Sequence, residues 1–300
     1  MGGCPAVAVR RRTSNGSNGA VLGGSGASSG VPVNAQNIPT RDEGYKEVRR
    51  LFVPMHDSEV WVKLDYSQLE LRVLAEASRD PVLVQAFQAG EDLHLATALD
   101  VFGDAGMRRF AKNLNFALSY GAGATKVVEM FRRDGMELKL EEASQIVQRL
   151  SARYARVEEY RQEVHRRILE TGEARTLYGR RRLFEGLRYM NRQDRARVLR
   201  EGFNHVVQGT AWDVFALAQL ALRPLLDEEH RVVNMVHDED SMNMRLDLPW
   251  LRKAIAAMEG VTGWQPGTWW PVREWAVPLV VEATVGPNWV DQEEVVWVGT

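Results

Sequence analysis

The chain has 300 residues, of which 45% are hydrophobic and 26% charged, with 38 basic residues against 40 acidic ones and a net charge of −2. That composition excludes a disordered or collagen-like chain and fits one large globular domain or two modest ones; its near-zero charge gives no bulk sign of a nucleic-acid or membrane partner. One cysteine, Cys4, excludes an internal disulfide and any cysteine-cluster metal centre. No apolar run approaches the ~18 residues that a bilayer span needs. Gly, Ser and Asn follow the basic N-terminus where a secretory signal requires an apolar core, so a cytoplasmic protein with no membrane partner is expected.

Residues 1–35 carry SNGSNG and GGSGASSG, with too little apolar surface to offset ordering, and read as a flexible Gly/Ser-rich segment. After AQNIP comes EVWVKL, a strand in which Val60 and Val62 alternate with Trp61 and Lys63; Asp65 follows at its end. From Asp65 to about residue 170 the apolar spacing is helical, through LELRVLAEAS, AFQAGEDLHLATALDVF, MRRFAKNLNFALSYG and LEEASQIVQRLSARYARVEEYRQEVHRRILE, punctuated by glycines at 90, 103, 121 and 135. A further helix is expected from about Asp194 to Leu226, then a hairpin in RVVNMVHDEDSMNMRLD and a last strand in WAVPLVVEATVG. Charge is segregated along this path. Residues 151–200 hold fourteen arginines and seven acids, whereas 226–300 hold five basic and thirteen acidic residues.

Three features carry chemistry. Asp65 at a strand end and Asp238 in the hairpin turn could bracket a pair of divalent cations for phosphoryl transfer, although turn chemistry is the better explanation of either acid taken alone. In RRFAKNLNFALSYG, Arg108, Lys112, Phe116 and Tyr120 recur every four residues and form one drifting stripe. Two cations and two aromatics suit an anionic, planar ligand; the alternative is an amphipathic helix whose cations snorkel over an apolar seam. An Arg-rich stretch such as 151–200 is either a phosphate-binding face or a solvated one laced with i,i+4 pairs.

LDYSQLELR, RRFAKNLNFALSYG and MVHDE resemble motifs A, B and C of the family A DNA polymerases, the bacterial DNA polymerase I family. QNIP, EDLHLATALDVFG, TLYGRRR, RVLREGFNHVVQGTAWD, VPLVVE and GPNW supply further signatures in the family's order, so the likeness runs over about residues 36–290. The resemblance implies a two-metal nucleotidyl transfer in which Asp65, Asp238 and the Tyr66 carbonyl hold two Mg2+ ions (Mn2+ can substitute), with Glu239 and Arg72 in support. It implies catalytic or phosphate-gripping roles for Arg108 and Lys112, a further donor in His94, and dNTP contacts from Gln68, Phe116 and Tyr120. Glu70 matches the family's steric gate against a ribose 2′-hydroxyl, and Phe116 in place of Tyr implies discrimination against dideoxynucleotides. Arg200, Asn204, Gln208 and His237 match positions that touch primer and template in the minor groove; for Asn204, Gln208 and His237 a purely structural role is the alternative.

The expected architecture is α+β: an antiparallel palm sheet from residues 36–80 and 203–300, with α-helical fingers inserted at 81–202. This is the right-hand polymerase fold lacking a thumb, because only about 35 residues stand before QNIP where family members carry a helical thumb and often a proofreading exonuclease. The expected partners are primer–template DNA and dNTPs. Three readings stay open: a catalytic core working with a thumb or exonuclease on a separate polypeptide, as in a split phage polymerase; a truncated polymerase that extends poorly; and a non-catalytic DNA-binding module. Intact Asp65, Asp238, Lys112 and Arg108 argue against the third, and Glu70 argues against a single-subunit RNA polymerase.

Overall fold

The computed structural model describes residues 8–11, 19–22, 38, 43–119, 121–263 and 275–296. In chain order its elements are β1 (Ala8–Arg11), β2 (Gly19–Leu22), α1 (Glu43–Arg50), β3 (Val60–Tyr66), α2 (Leu69–Ser78), α3 (Pro81–Gln88), α4 (Leu93–Phe102), α5 (Arg108–Ser119), α6 (Ala124–Arg133), α7 (Leu140–Arg153) and α8 (Ala155–Thr171). There follow β4 (Glu173–Arg175), β5 (Arg181–Leu183), α9 (Arg192–Leu222), β6 (Arg231–Val236), β7 (Glu239–Met244), α10 (Leu248–Glu259), β8 (Val281–Gly286) and β9 (Glu293–Glu294). The chain divides into two compact units, Met1–Ser67 with Phe215–Val261 and Val280–Thr300, and Gln68–Val214 with Thr262–Leu279. Among the described residues no helix is long and apolar enough to cross a membrane.

The first unit is built on an antiparallel sheet in the order β6-β7-β3-β8-β9. Its central strand, β3, buries residues on both faces. Val62, Leu64 and Tyr66 are buried on one side, where the Tyr66 hydroxyl donates to the Met258 carbonyl of α10 at 2.7 Å. On the other side Trp61 joins Phe52 and Trp289 in an aromatic cluster, Trp289 lying edge-on to Phe52 at 5.2 Å and stacked on Trp61 at 6.1 Å. Beyond Trp61 on that face come Lys63 and Asp65, because side chains alternate along a strand. Within residues 1–35, expected to be flexible, β1 and β2 pair as an antiparallel ladder with Ala8 opposite Leu22.

The second unit is helical apart from the short β4–β5 ladder. Two breaks in the helical runs, the expected one at Gly90 and a second that departs from expectation, have local causes. The run AFQAGEDLHLATALDVF is two helices: Gly90 turns the chain at φ 66°, and Asp92 starts α4 anew by accepting from the backbone N–H groups of His94 and Leu95 at 3.0 Å. The run LEEASQIVQRLSARYARVEEYRQEVHRRILE breaks at Tyr154 (φ −111°, ψ 52°), whose buried ring and hydroxyl are fixed against Thr97. Residues 275–279 join this unit through α2. The fully buried Glu76 carboxylate accepts from Ala276 N at 2.9 Å, and Arg72 donates to the Pro278 carbonyl at 2.6 Å.

The mixed helical and antiparallel-sheet architecture is the α+β class read from the sequence, with helices α2–α8 falling in the chain between β3 and β6. The expected last strand begins only at Val281, after Pro278, which has no N–H to give a ladder, and β9 follows it.

Candidate active site

Sheet register assembles the acidic centre. Asp65 lies opposite Glu239 of β7 on one side and Glu282 of β8 on the other, which sets three carboxylates in one row across three strands. Asp238 precedes Glu239 in the two-residue turn between β6 and β7, and Tyr66 N donates to its carbonyl at 3.4 Å. His237, the other turn residue, adopts φ 57°, a left-handed conformation in which His is one of the more tolerated side chains, and its ring is exposed. Glu239 is held in place: its Oε1 accepts from Trp289 Nε1 at 3.1 Å and Ser241 Oγ at 3.0 Å, and its Oε2 is 3.9 Å from Lys63 Nζ.

Like charges opposite one another on a sheet repel. Burial and then the carboxylates of Asp238, Glu239 and Glu282 push the Asp65 carboxyl up to about 7, with Lys63 pulling the other way. Asp240, fully buried, is also raised to about 7 by burial and Glu239, although Gln219 Nε2 donates to it at 2.6 Å. A concentration of carboxylates so costly without a cation is a donor set for a hard divalent ion. Among the described residues no group of three or more His, Cys, Asp or Glu side chains is placed so as to hold a metal ion by itself.

In the second unit, α5 presents Arg108, Lys112 and Phe116 in the expected stripe. Lys112 is exposed and has no ion pair among the described residues. Arg108 is not free: its Nε meets Asp92 Oδ2 at 2.6 Å. Burial raises the Asp92 carboxyl, but the Arg108 hydrogen bond and the α4 backbone N–H groups outweigh that and hold it below its ordinary value. His94 is buried, with its ring 6.3 Å from that of Phe116, and burial followed by the Lys112 charge lowers its pKa to about 4. Tyr120 lies outside the described residues.

The remaining predicted residues divide by burial. Gln68 precedes α2 at φ 55°, and Glu70 sits half-buried in that helix's first turn. Arg72 is buried, bonded to Pro278 and 4.6 Å over the Phe87 ring, so it braces the helical unit. Arg200, Asn204 and Gln208 follow at four-residue spacing along α9, with Arg200 and Gln208 exposed and Asn204 Nδ2 donating to Gln208 Oε1 at 2.9 Å.

The profile of DNA polymerase family A matches residues 18–291. The chain belongs to DNA polymerase family A. DNA polymerase I of Deinococcus radiodurans is 36% identical over 275 residues, covering 89% of this chain and 27% of that protein. The thermostable DNA polymerase I of Thermus aquaticus is also 36% identical, over 87% of this chain and 30% of its own length. The chain therefore spans a little under a third of these relatives. Among solved structures, the POL domain of Pol1 from M. smegmatis, in complex with DNA primer-template and dNTP, superposes with a TM-score of 0.72 at 28% identity, over 86% of this chain and 45% of that one.

Within this family A chain, three residues, Glu282 in the sheet unit and Asp92 and Asn115 in the helical unit, have roles that the sequence alone does not signal. Glu282 ends VPLVVE, but its place in the acidic row depends on β8 pairing with β3, which spacing does not reveal. Asp92 caps α4 and also holds Arg108, a pairing across two helices that spacing does not reveal. Asn115 falls one residue before Phe116, off the basic–aromatic stripe, and is buried facing His94.

Proposed function

We propose that this chain is the nucleotidyl-transfer core of a DNA-directed DNA polymerase, adding dNMP from a dNTP to a primer 3′-hydroxyl under template direction. The observation that carries the reading is the row Glu239, Asp65, Glu282 beside Asp238 on an antiparallel sheet, in a chain of DNA polymerase family A. The sheet unit serves as the palm and the helical unit as the fingers. Asp65, Asp238 and the Tyr66 carbonyl hold two Mg2+ ions, which when bound activate the 3′-hydroxyl and offset charge on the phosphates. Trp289 and Ser241 keep Glu239 oriented beside them.

Lys112 and Arg108 bind the triphosphate, Arg108 exchanging Asp92 for a phosphate oxygen. Phe116 and Tyr120 pack on the sugar and base; Gln68 and Glu70 border the sugar, where Glu70 excludes a 2′-hydroxyl. Arg200, Asn204, Gln208 and His237 follow the minor groove, where acceptors common to all pairs allow geometry to be checked without reading sequence. The relative solved with primer-template and dNTP supports these partners by likeness.

Single-nucleotide primer extension by the 300-residue chain in Mg2+ tests the reading, with Asp238→Asn in parallel and dNTP against rNTP. Extension confined to dNTP, and reduced at least about a thousandfold by the substitution, is expected. Equal extension by the variant would reject the acidic centre.

A further inference from the structure

His94 sits at the end of a buried chain of hydrogen bonds that the polymerase reading leaves unexplained. Arg153 Nε donates to the Tyr154 hydroxyl at 3.2 Å, and that hydroxyl is 3.0 Å from Thr97 Oγ1. Thr97 Oγ1 donates to Asn115 Oδ1 at 3.2 Å, and Asn115 Nδ2 lies 3.1 Å from both Thr97 Oγ1 and His94 Nδ1. All four members after Arg153 are at most 2% exposed. A guanidinium can only donate. Arg153, anchored by its ion pair with Asp100, donates into the Tyr154 hydroxyl, in whose bond to Thr97 either oxygen can donate; at the far end Asn115 Nδ2 can only donate, and so gives an N–H to the imidazole.

His94 Nδ1 is thereby an acceptor, and the ring proton belongs on Nε2. That Nε2 is buried and has no hydrogen-bond partner among the described residues. A buried donor left unsatisfied costs on the order of 1–3 kcal/mol, so its retention points to a ligand acceptor. We propose that Asn115, Thr97 and Tyr154 are positioning residues that lock His94 in its Nε2–H tautomer, so that it offers a fixed neutral donor to a nucleotide phosphate beside Lys112. Burial and the nearby Lys112 and Arg108 charges disfavour the imidazolium, which keeps Nδ1 free to accept. The nucleotide half of this inference rests on the polymerase reading of α5; the tautomer half does not.

The test is long-range 1H–15N correlation of the six histidines in the full chain, with His94 assigned by its loss in His94→Ala. An Nε2–H pattern is expected in the wild type. Asn115→Asp, which can only accept, is expected to convert His94 to the Nδ1–H or doubly protonated pattern, and Tyr154→Phe to leave a mixture. In single-nucleotide incorporation, Asn115→Asp should lower kcat/KM for dNTP about tenfold in the wild-type background and by less than about twofold in His94→Ala.

An Nδ1–H pattern in the wild type, which needs no variant to fold, overturns the proposal. So does an equal kinetic loss in both backgrounds, the mark of a merely structural role. Wild-type kinetics in His94→Ala would overturn the nucleotide half, and an inactive wild-type chain with the Nε2–H pattern would be a failure of the polymerase reading rather than of the tautomer lock.

Discussion

Asp65 concentrates the conflict between stability and chemistry in one side chain. Its carboxyl is raised from 3.8 to about 7, so between those values the folded chain holds a proton that the unfolded chain has released. Stability is therefore lost as pH rises through that window, and the metal-free fold carries the whole penalty above it. That rise corresponds to on the order of 4 kcal/mol. Asp65→Asn keeps the shape and removes the charge. In EDTA, its stability advantage over wild type in urea denaturation should widen from near nil at pH 4 to roughly 3–4 kcal/mol at pH 8. Adding Mg2+ should then stabilise the wild type alone, since only a folded site that binds gains by mass action. Parallel stability profiles across that range would show that the acidic row is not strained.

At the scale of elements, the β4–β5 ladder and α9 are joined at one glycine. Gly209 accepts from Arg180 Nη2 at 2.7 Å through its carbonyl, Arg180 Nε also reaches Asp213 at 2.7 Å, and Thr210 Oγ1 accepts from Leu177 N at 2.9 Å. A Cβ on Gly209 would lie 2.8 Å from Thr176 Cγ2 and 3.2 Å from Arg180 Nη2. Alanine in a helix interior ordinarily stabilises by about 1 kcal/mol over glycine. Here crowding against a stiff β-branched side chain should reverse the sign, costing roughly 1–3 kcal/mol and several degrees of Tm. A Gly209→Ala chain as stable as the wild type would mean the ladder is not pressed on α9.

The same elements show what a sequence can and cannot disclose. LELRVLAEAS is helix α2 residue for residue, because its apolar spacing needs no partner to be read. The break at Tyr154 has no glycine or proline to announce it and comes from the tertiary contact with Thr97. Asp65 and Asp238 stood out by their turns, whereas Glu282 becomes visible only once the strand order is known. Helix α6 gives little periodic signal, because only Val127 and Phe131 are buried in it, a single apolar pair at four-residue spacing.

For the molecule as a whole, what matters is how much of the segregated charge is available to a polyanion. Residues 151–200 carry fourteen arginines, but Arg153, Arg156, Arg161, Arg175, Arg180, Arg181, Arg182 and Arg197 are ion-paired. Arg166, Arg167, Arg188, Arg192, Arg195 and Arg200 have no ion pair among the described residues. Each phosphate neutralised releases about 0.9 counterion, so this segment contributes a log–log salt slope for duplex binding of at most about −5, against roughly −13 if all fourteen were free. Individual substitutions separate the two classes. Arg200→Ala should make the slope shallower by about one and weaken binding alike on unrelated sequences. Arg156→Ala removes a guanidinium that already faces Glu159 and Glu163, and should leave the slope unchanged. Fluorescence anisotropy of a labelled primer–template between 50 and about 300 mM salt measures both. An Arg156→Ala slope that falls as far as that of Arg200→Ala would mean that DNA breaks the internal pairs, and that the +7 balance of the segment acts as a whole rather than through its unpaired arginines.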